Sequence, residues 1–199
     1  GGVYKAGCMG TVGCFSFFPS KNLGCMGDGG IITTNDQALY EKMKMFRNHG
    51  AHARYYHQFV GGNFRLDTIQ AAVLLHKLPL LDSQHAGRVQ NAAFYDKELA
   101  GLFEVPVIHP KAKSIYNQYT IRSKRRDSLV TYLQEKNIGH GIYYPVSLHL
   151  QDCFKALGYQ EGDFSHSERA CKEVLSIPVY SELTSDQLAY VGDCLKGFS

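Results

Sequence analysis

GCFSFFPSKNLGCMGDGGIITTND, residues 13–36, is the stretch on which the fold turns. Its opening, together with Val12, is apolar, aromatic and bounded by glycines, and reads as a short buried strand that ends at Pro19. Its close, residues 30–34, is β-branched and reads as a second strand. Between them lies a tight turn through Ser20, Lys21 and Asn22, followed by Gly24, Gly27, Gly29 and Gly30. Strand ends that open into glycine-rich turns are where α/β proteins bind ligands, because backbone approaches closely and amide N–H groups can face an anion. A lysine held there and partly desolvated is an amine nucleophile or Schiff-base former; the alternative is an ordinary solvated lysine. Ser16, on the preceding strand, either binds a phosphate with its hydroxyl or satisfies a nearby backbone group. Neither G-x-x-x-x-G-K-[ST] nor G-x-G-x-x-G is present, so neither P-loop nor nicotinamide chemistry is supported.

Working outward, Asn35 is predicted to cap a helix running to about residue 47, with Leu39, Met43 and Phe46 at helical spacing and Asn48-His49-Gly50 as its stop. A polar, aromatic loop follows over about 51–65. Asp67 then opens a second helix with Gln70 in the capping-box position, and Pro79 interrupts it. A longer helix is predicted over about 80–100. After Gly101 the texture changes. Residues 118–123, 141–144 and 175–179 read as strands, and 127–136, 165–174 and 185–196 as helices, the last capped by Thr184 with Gln187. Strands alternating with helices give an α/β or α+β architecture. The domain change is placed near the long helix, dividing the chain into 1–88 and 89–199.

Composition bounds the function. The 199 residues are 44% hydrophobic and 20% charged, an ordinary globular balance sufficient for one domain with a smaller neighbour. Net charge is 21 − 18 = +3, and the only like-charged run, Lys124-Arg125-Arg126, reads as a solvated edge; neither nucleic acid nor membrane is indicated as a partner. The six cysteines form no C-x-x-C pair, so no zinc ribbon or disulfide framework is expected and a reducing, cytoplasmic setting is. Residues 71–81 are apolar but broken by His76 and Lys77, too short to span a bilayer. No signal peptide opens the chain, and the start at Gly1 without Met leads us to expect a piece of a longer protein. His49, His52 and His57 cluster in one loop; without cysteines nearby or an H-E-x-x-H motif, structural or solvated histidines are favoured over zinc. Tyr143-Tyr144-Pro145 with His149 either lines a pocket or packs in the core.

With residues 13–36 taken together with FRNHG (46–50), GGNFRLDTIQAAVLLHKLPLLD (61–82), YNQYTIR (116–122) and GIYYPVSLHLQ (141–151), the chain resembles the DegT/DnrJ/EryC1/StrS family of sugar aminotransferases. The likeness covers nearly the whole chain in the expected order, and the S-F-x-x-x-K block is its most specific part. The resemblance implies an α/β chain: the C-terminal part of a fold type I large domain that binds pyridoxal 5′-phosphate, plus an α+β small domain. It implies that Lys21 is the catalytic lysine that forms the Schiff base and shuttles the proton. It further implies that Ser16 binds the cofactor phosphate and that Asn63 reaches the phosphate of the neighbouring subunit in a homodimer with shared active sites. Arg65, Tyr143 and His149 match positions near the nucleotide-sugar substrate, and the amino donor is expected to be an amino acid such as glutamate. The family's aspartate partner of the pyridine nitrogen lies upstream of the lysine block, so this chain alone is expected not to transaminate. Some family members carry histidine in place of the lysine and act as dehydratases; Lys21 speaks against that branch. A non-catalytic regulatory or assembly homologue keeping the same fold is the alternative.

Overall fold

The computed structural model describes residues 4–199, and the opening Gly1-Gly2-Val3 lies outside the described residues. The chain divides into two compact units, Gly1–Leu81 and Asp82–Ser199.

In the first unit β1 (Gly13–Ser16) pairs antiparallel with β2 (Gly30–Thr33), Phe15 opposite Ile31 and Cys14 opposite Ile32. Both expected strands are present, but β1 is exposed apart from Gly13, not buried. The reason is physical: a two-stranded ribbon buries neither face without a further layer over it, and the described residues do not supply one. Helix α1 (Gln37–Phe46) starts one residue later than predicted, because Asp36 takes the cap: its Oδ1 accepts from Leu39 N–H at 3.0 Å. Thr34 Oγ1 in turn accepts from Asp36 N–H at 3.1 Å and fixes the approach. The helix ends where His49 (φ 60°) and Gly50 (φ 69°) turn left-handed. The expected loop after it contains a small irregular ribbon, β3 (Ala51–Ala53) with β4 (Tyr56–His57). Helix α2 (Thr68–Lys77) follows its predicted cap, Asp67 N–H donating to Gln70 Oε1 at 3.0 Å. Pro79 then tightens the chain into a 3-10 turn, Leu78–Leu80.

The second unit is built from α3 (Leu81–Glu98, all but its first residue), β5 (Tyr119–Arg122), α4 (Arg126–Glu135), α5 (Ser165–Glu173), β6 (Val174–Ile177) and α6 (Ser185–Phe198). Strands β5 and β6 pair antiparallel, Tyr119 opposite Ile177 and Ile121 opposite Leu175. These four side chains are buried with Tyr95 of α3 and Leu99 just past its end, Leu129 and Leu133 of α4, and Leu195 of α6. The two core phenols are not left unpaired: Tyr95 Oη donates to Pro178 O at 2.9 Å and Tyr119 Oη to Asp96 Oδ1 at 2.6 Å. Burial pushes both phenols well above the ordinary tyrosine value, with the Asp96 carboxylate adding to the rise at Tyr119. Thr184 caps α6, its Oγ1 accepting from Gln187 N–H at 3.2 Å. The strand expected over 141–144 is reduced to one bridge, in which Gly141 and Ser176 exchange N–H···O bonds of 3.0 and 2.7 Å.

The chain is mixed helix and strand. No helix among the described residues is long and apolar enough to cross a membrane.

Candidate functional site

The turn that carries Lys21 is held by backbone. Phe17 N–H donates to Gly29 O at 2.8 Å and continues the β1–β2 pairing. Past Pro19 the chain doubles back: Lys21 N–H reaches Phe18 O at 2.9 Å and Cys25 N–H closes the loop on Phe17 O at 2.8 Å. Gly24 is required there, since a Cβ would lie 2.3 Å from Pro19 O. Helix α2 fastens this loop at two points. Lys77 Nζ donates to Gly24 O at 2.6 Å, and Gln70 Nε2 donates to Met26 O at 2.9 Å and Asp28 O at 2.8 Å. Lys21 is exposed on the supported turn and Ser16 is exposed at the end of β1. Ser16 Oγ accepts from Phe18 N–H at 3.3 Å, which leaves its own O–H to donate outward. Beside Lys21, both polar side-chain atoms of Asn22 are buried without a partner.

Asn63 and Arg65 are joined directly, Arg65 Nε donating to Asn63 Oδ1 at 2.8 Å. Both stay exposed, and the amide nitrogen of Asn63 keeps its two donors. Their segment is pinned to the end of α1 by Gly62 N–H to Phe46 O (3.0 Å) and Phe64 N–H to Arg47 O (2.9 Å). Of the neighbouring histidines, His57 Nδ1–H donates to His49 O at 2.9 Å, and among the described residues no group of three or more His, Cys, Asp and Glu is placed to hold a metal.

Tyr143 and His149 belong to the second unit and differ from each other. Tyr143 is half exposed. The His149 side chain is 8% exposed, with Nε2 3.0 Å from Glu168 Oε1 and its ring edge-on to Phe164 at 4.8 Å. Glu168 also accepts from Gly162 N–H (2.9 Å) and Phe164 N–H (3.2 Å). Burial works to raise the Glu168 carboxyl, but these amide donors and the His149 ring outweigh it and hold the group below the ordinary glutamate value.

Ser16 at the end of β1 and Lys21 in the turn that follows therefore lie on one segment, and Asn63 and Arg65 share one hydrogen bond. No hydrogen bond or ring contact joins Tyr143 to His149 among the described residues. The bracing side chains Gln70 and Lys77 and the unpaired Asn22 escape sequence reasoning; Gln70 signals only a helix cap. Glu168 has no local signal at all. Chemically, the Lys21 amine and the Ser16 hydroxyl offer two donors on one segment, and the Asn63 amide N–H₂ offers further donors on another.

The chain matches the DegT/DnrJ/EryC1/StrS aminotransferase family over residues 2–196, and the resemblance read from the sequence is borne out. It is 43% identical over 205 residues to a pleiotropic regulatory protein of Geobacillus stearothermophilus, covering 100% of this chain and 55% of that protein. It is 38% identical over 194 residues to a dTDP-3-amino-3,4,6-trideoxy-alpha-D-glucose transaminase of Streptomyces venezuelae, covering 96% and 51%. Its fold superposes on the crystal structure of S. venezuelae DesV in complex with a ketimine intermediate with a TM-score of 0.92 at 38% identity, covering 96% of this chain and 52% of that one. The chain spans about half the length of the curated relatives it matches.

Proposed function

The chain belongs to the DegT/DnrJ/EryC1/StrS aminotransferase family, and from that premise we propose that it serves a pyridoxal 5′-phosphate-dependent aminotransferase that converts a nucleotide-linked keto-sugar to an amino-sugar. An amino acid such as glutamate is the donor. The observation that carries this reading is Lys21: an exposed amine on a turn closed by three backbone hydrogen bonds and braced by Gln70 and Lys77. In this reading residues 1–88 end the cofactor-binding domain and 89–199 form the small domain, a boundary that falls inside α3 and beyond the division of the compact units at Leu81.

The donor set fits the cofactor, and each residue has its task. The Ser16 hydroxyl, free to donate, holds the phosphate. Asn63 presents its amide N–H₂ to the phosphate of the neighbouring subunit, with Oδ1 locked by Arg65 so that the donors face outward. Lys21 would be the covalent attachment point and, when released, its Nζ would take the proton from the substrate carbon and deliver it to the cofactor in the 1,3-shift. When bound, pyridoxal phosphate supplies the electron sink for the carbon that loses that proton. Arg65 and Tyr143 face the substrate. His149, spent on Glu168, is assigned to hold the segment that follows Tyr143. We place the working protein as a homodimer in the cytoplasm, a setting supported by its six free cysteines.

Borohydride reduction of the complete protein with pyridoxal phosphate, then peptide mass mapping, should put the phosphopyridoxyl mass on Lys21. An unmodified Lys21 peptide overturns the enzyme reading. A regulatory homologue is the second reading, favoured by the name of the 43%-identical relative. It predicts a protein that binds no cofactor at Lys21 and turns over no nucleotide sugar.

A further inference from the structure

The second unit contains a cavity of about 240 Å³ that none of the assignments above uses as a whole. It lies among Arg88 of α3, His140, Gly141 and Tyr143, the Ser176 end of β6, and Tyr180. None of its described lining residues is acidic. Arg88 is held in place from one side: Nη1 donates to Tyr116 O at 3.2 Å and to Asn117 O at 3.3 Å. Its Nε and Nη2 make no hydrogen bond among the described residues, so the edge that pairs with planar anions is unspent. Burial lowers the Arg88 value and the nearby Glu182 carboxylate opposes that; an arginine so placed stays charged. Glu182 is not directed solely at Arg88, since its Oε1 also accepts from Gln84 Nε2 at 3.5 Å.

The opposite wall is built around a glycine. Gly141 is fastened to Ser176 by the paired backbone bonds, and the Tyr143 ring folds back over it so closely that a Cβ on residue 141 would lie 2.7 Å from the ring. The absence of a side chain is thus what lets the phenol sit at this cavity. His140 is oriented by Nδ1–H donating to Ile138 O at 2.9 Å, which leaves Nε2 without a partner.

We propose that this cavity is an oxyanion subsite, with the Nε/Nη2 edge of Arg88 taking a carboxylate or phosphate oxygen pair and the Tyr143 hydroxyl donating to the same group. The inference rests on the aminotransferase reading and deepens it: the anion is either the carboxylate of the amino donor or a phosphate of the nucleotide sugar. Both present the same planar or near-planar oxygen pair to an arginine fork.

The test is isothermal titration of the complete holoenzyme with L-glutamate and, separately, with inorganic pyrophosphate. It compares wild type with Arg88→Lys, which keeps the charge but loses the fork, and Gly141→Ala, which pushes the flexible Tyr143 ring aside. Both variants should weaken one probe about tenfold and leave the other within twofold, and the probe that weakens identifies the source of the anion. The proposal is overturned if neither probe moves more than twofold in either variant. It is also overturned if Arg88→Lys weakens both probes along with the unfolding midpoint while Gly141→Ala weakens neither. Mapping Lys21 on the same preparations separates the two readings: a labelled Lys21 with unchanged anion affinities removes the subsite alone, and an unlabelled Lys21 removes the enzyme.

Discussion

The two units solve the problem of holding a side chain still in different ways. The second has an ordinary core, with Tyr95, Leu99, Tyr119, Ile121, Leu129, Leu133, Leu175 and Leu195 all fully buried. In the first, Cys25 and Leu74 are the only buried apolar residues described besides glycine, while Phe15, Phe18, Ile31, Ile32 and Phe64 remain exposed. Yet the first unit carries Lys21, Ser16, Asn63 and Arg65. Its candidate chemistry is positioned by directional hydrogen bonds to backbone carbonyls, not by hydrophobic burial. Such bonds fix geometry well and add little stability each, whereas apolar burial adds stability without direction.

The contrast can be broken most forcefully at Leu195. Leu195→Ala should cost about 3 kcal/mol by emptying a closed core, read by denaturant unfolding of the complete protein. Leu75→Ala in the first unit, at a side chain 70% exposed, should change stability by less than about 0.5 kcal/mol. Equal losses would show that the first unit has a core after all. A smaller effect sharpens the comparison: Gln70→Leu removes the bonds to Met26 O and Asp28 O at a cost of about 2 kcal/mol. Amide exchange should quicken roughly thirtyfold around residues 25–30 and stay unchanged at Ile121; uniform quickening throughout the chain would contradict a local role.

The smallest effect belongs to Glu168. Its carboxyl sits below the ordinary value of 4.5, so its contribution to folding is complete above that value and is lost as pH falls through the lowered native one. The thermal midpoint of the wild type should therefore drop more steeply below pH 4.5 than that of Glu168→Gln, and parallel acid arms would remove the carboxylate from the account.

What could be read in advance follows the range of the interactions. Helices α2 and α6 begin where Asp67–Gln70 and Thr184–Gln187 say they should, because a capping box is written within four residues. At α1 the cap expected at Asn35 falls one residue later, on Asp36, whose amide is taken by Thr34 Oγ1 and whose Oδ1 accepts from Leu39 N–H. The β3–β4 ribbon carries no turn signal: its reversal uses Tyr55 at φ 70°, a conformation usually marked by glycine or asparagine. Lys21 and Ser16 stand out within one block, and the family motif supplies Asn63. The partners that steady them come from helix α2, far along the chain, and the Glu168 carboxylate meets His149 only through tertiary folding. Pairings of that length leave no pattern in a local window.

The two grips of α2 on the glycine loop have a geometric corollary. Gln70 and Lys77 are seven positions apart, close to two full turns, so they emerge on one side of the rod with about 10 Å between their Cα levels. The helix thus works as a gauge block, setting the span between the carbonyls of Gly24 and Asp28. One residue inserted between the two grips would swing one of them about 100° around the axis. Length inside this helix is therefore a fixed dimension of the loop's support, whereas Ile69 and Leu75, both exposed, set no part of that span.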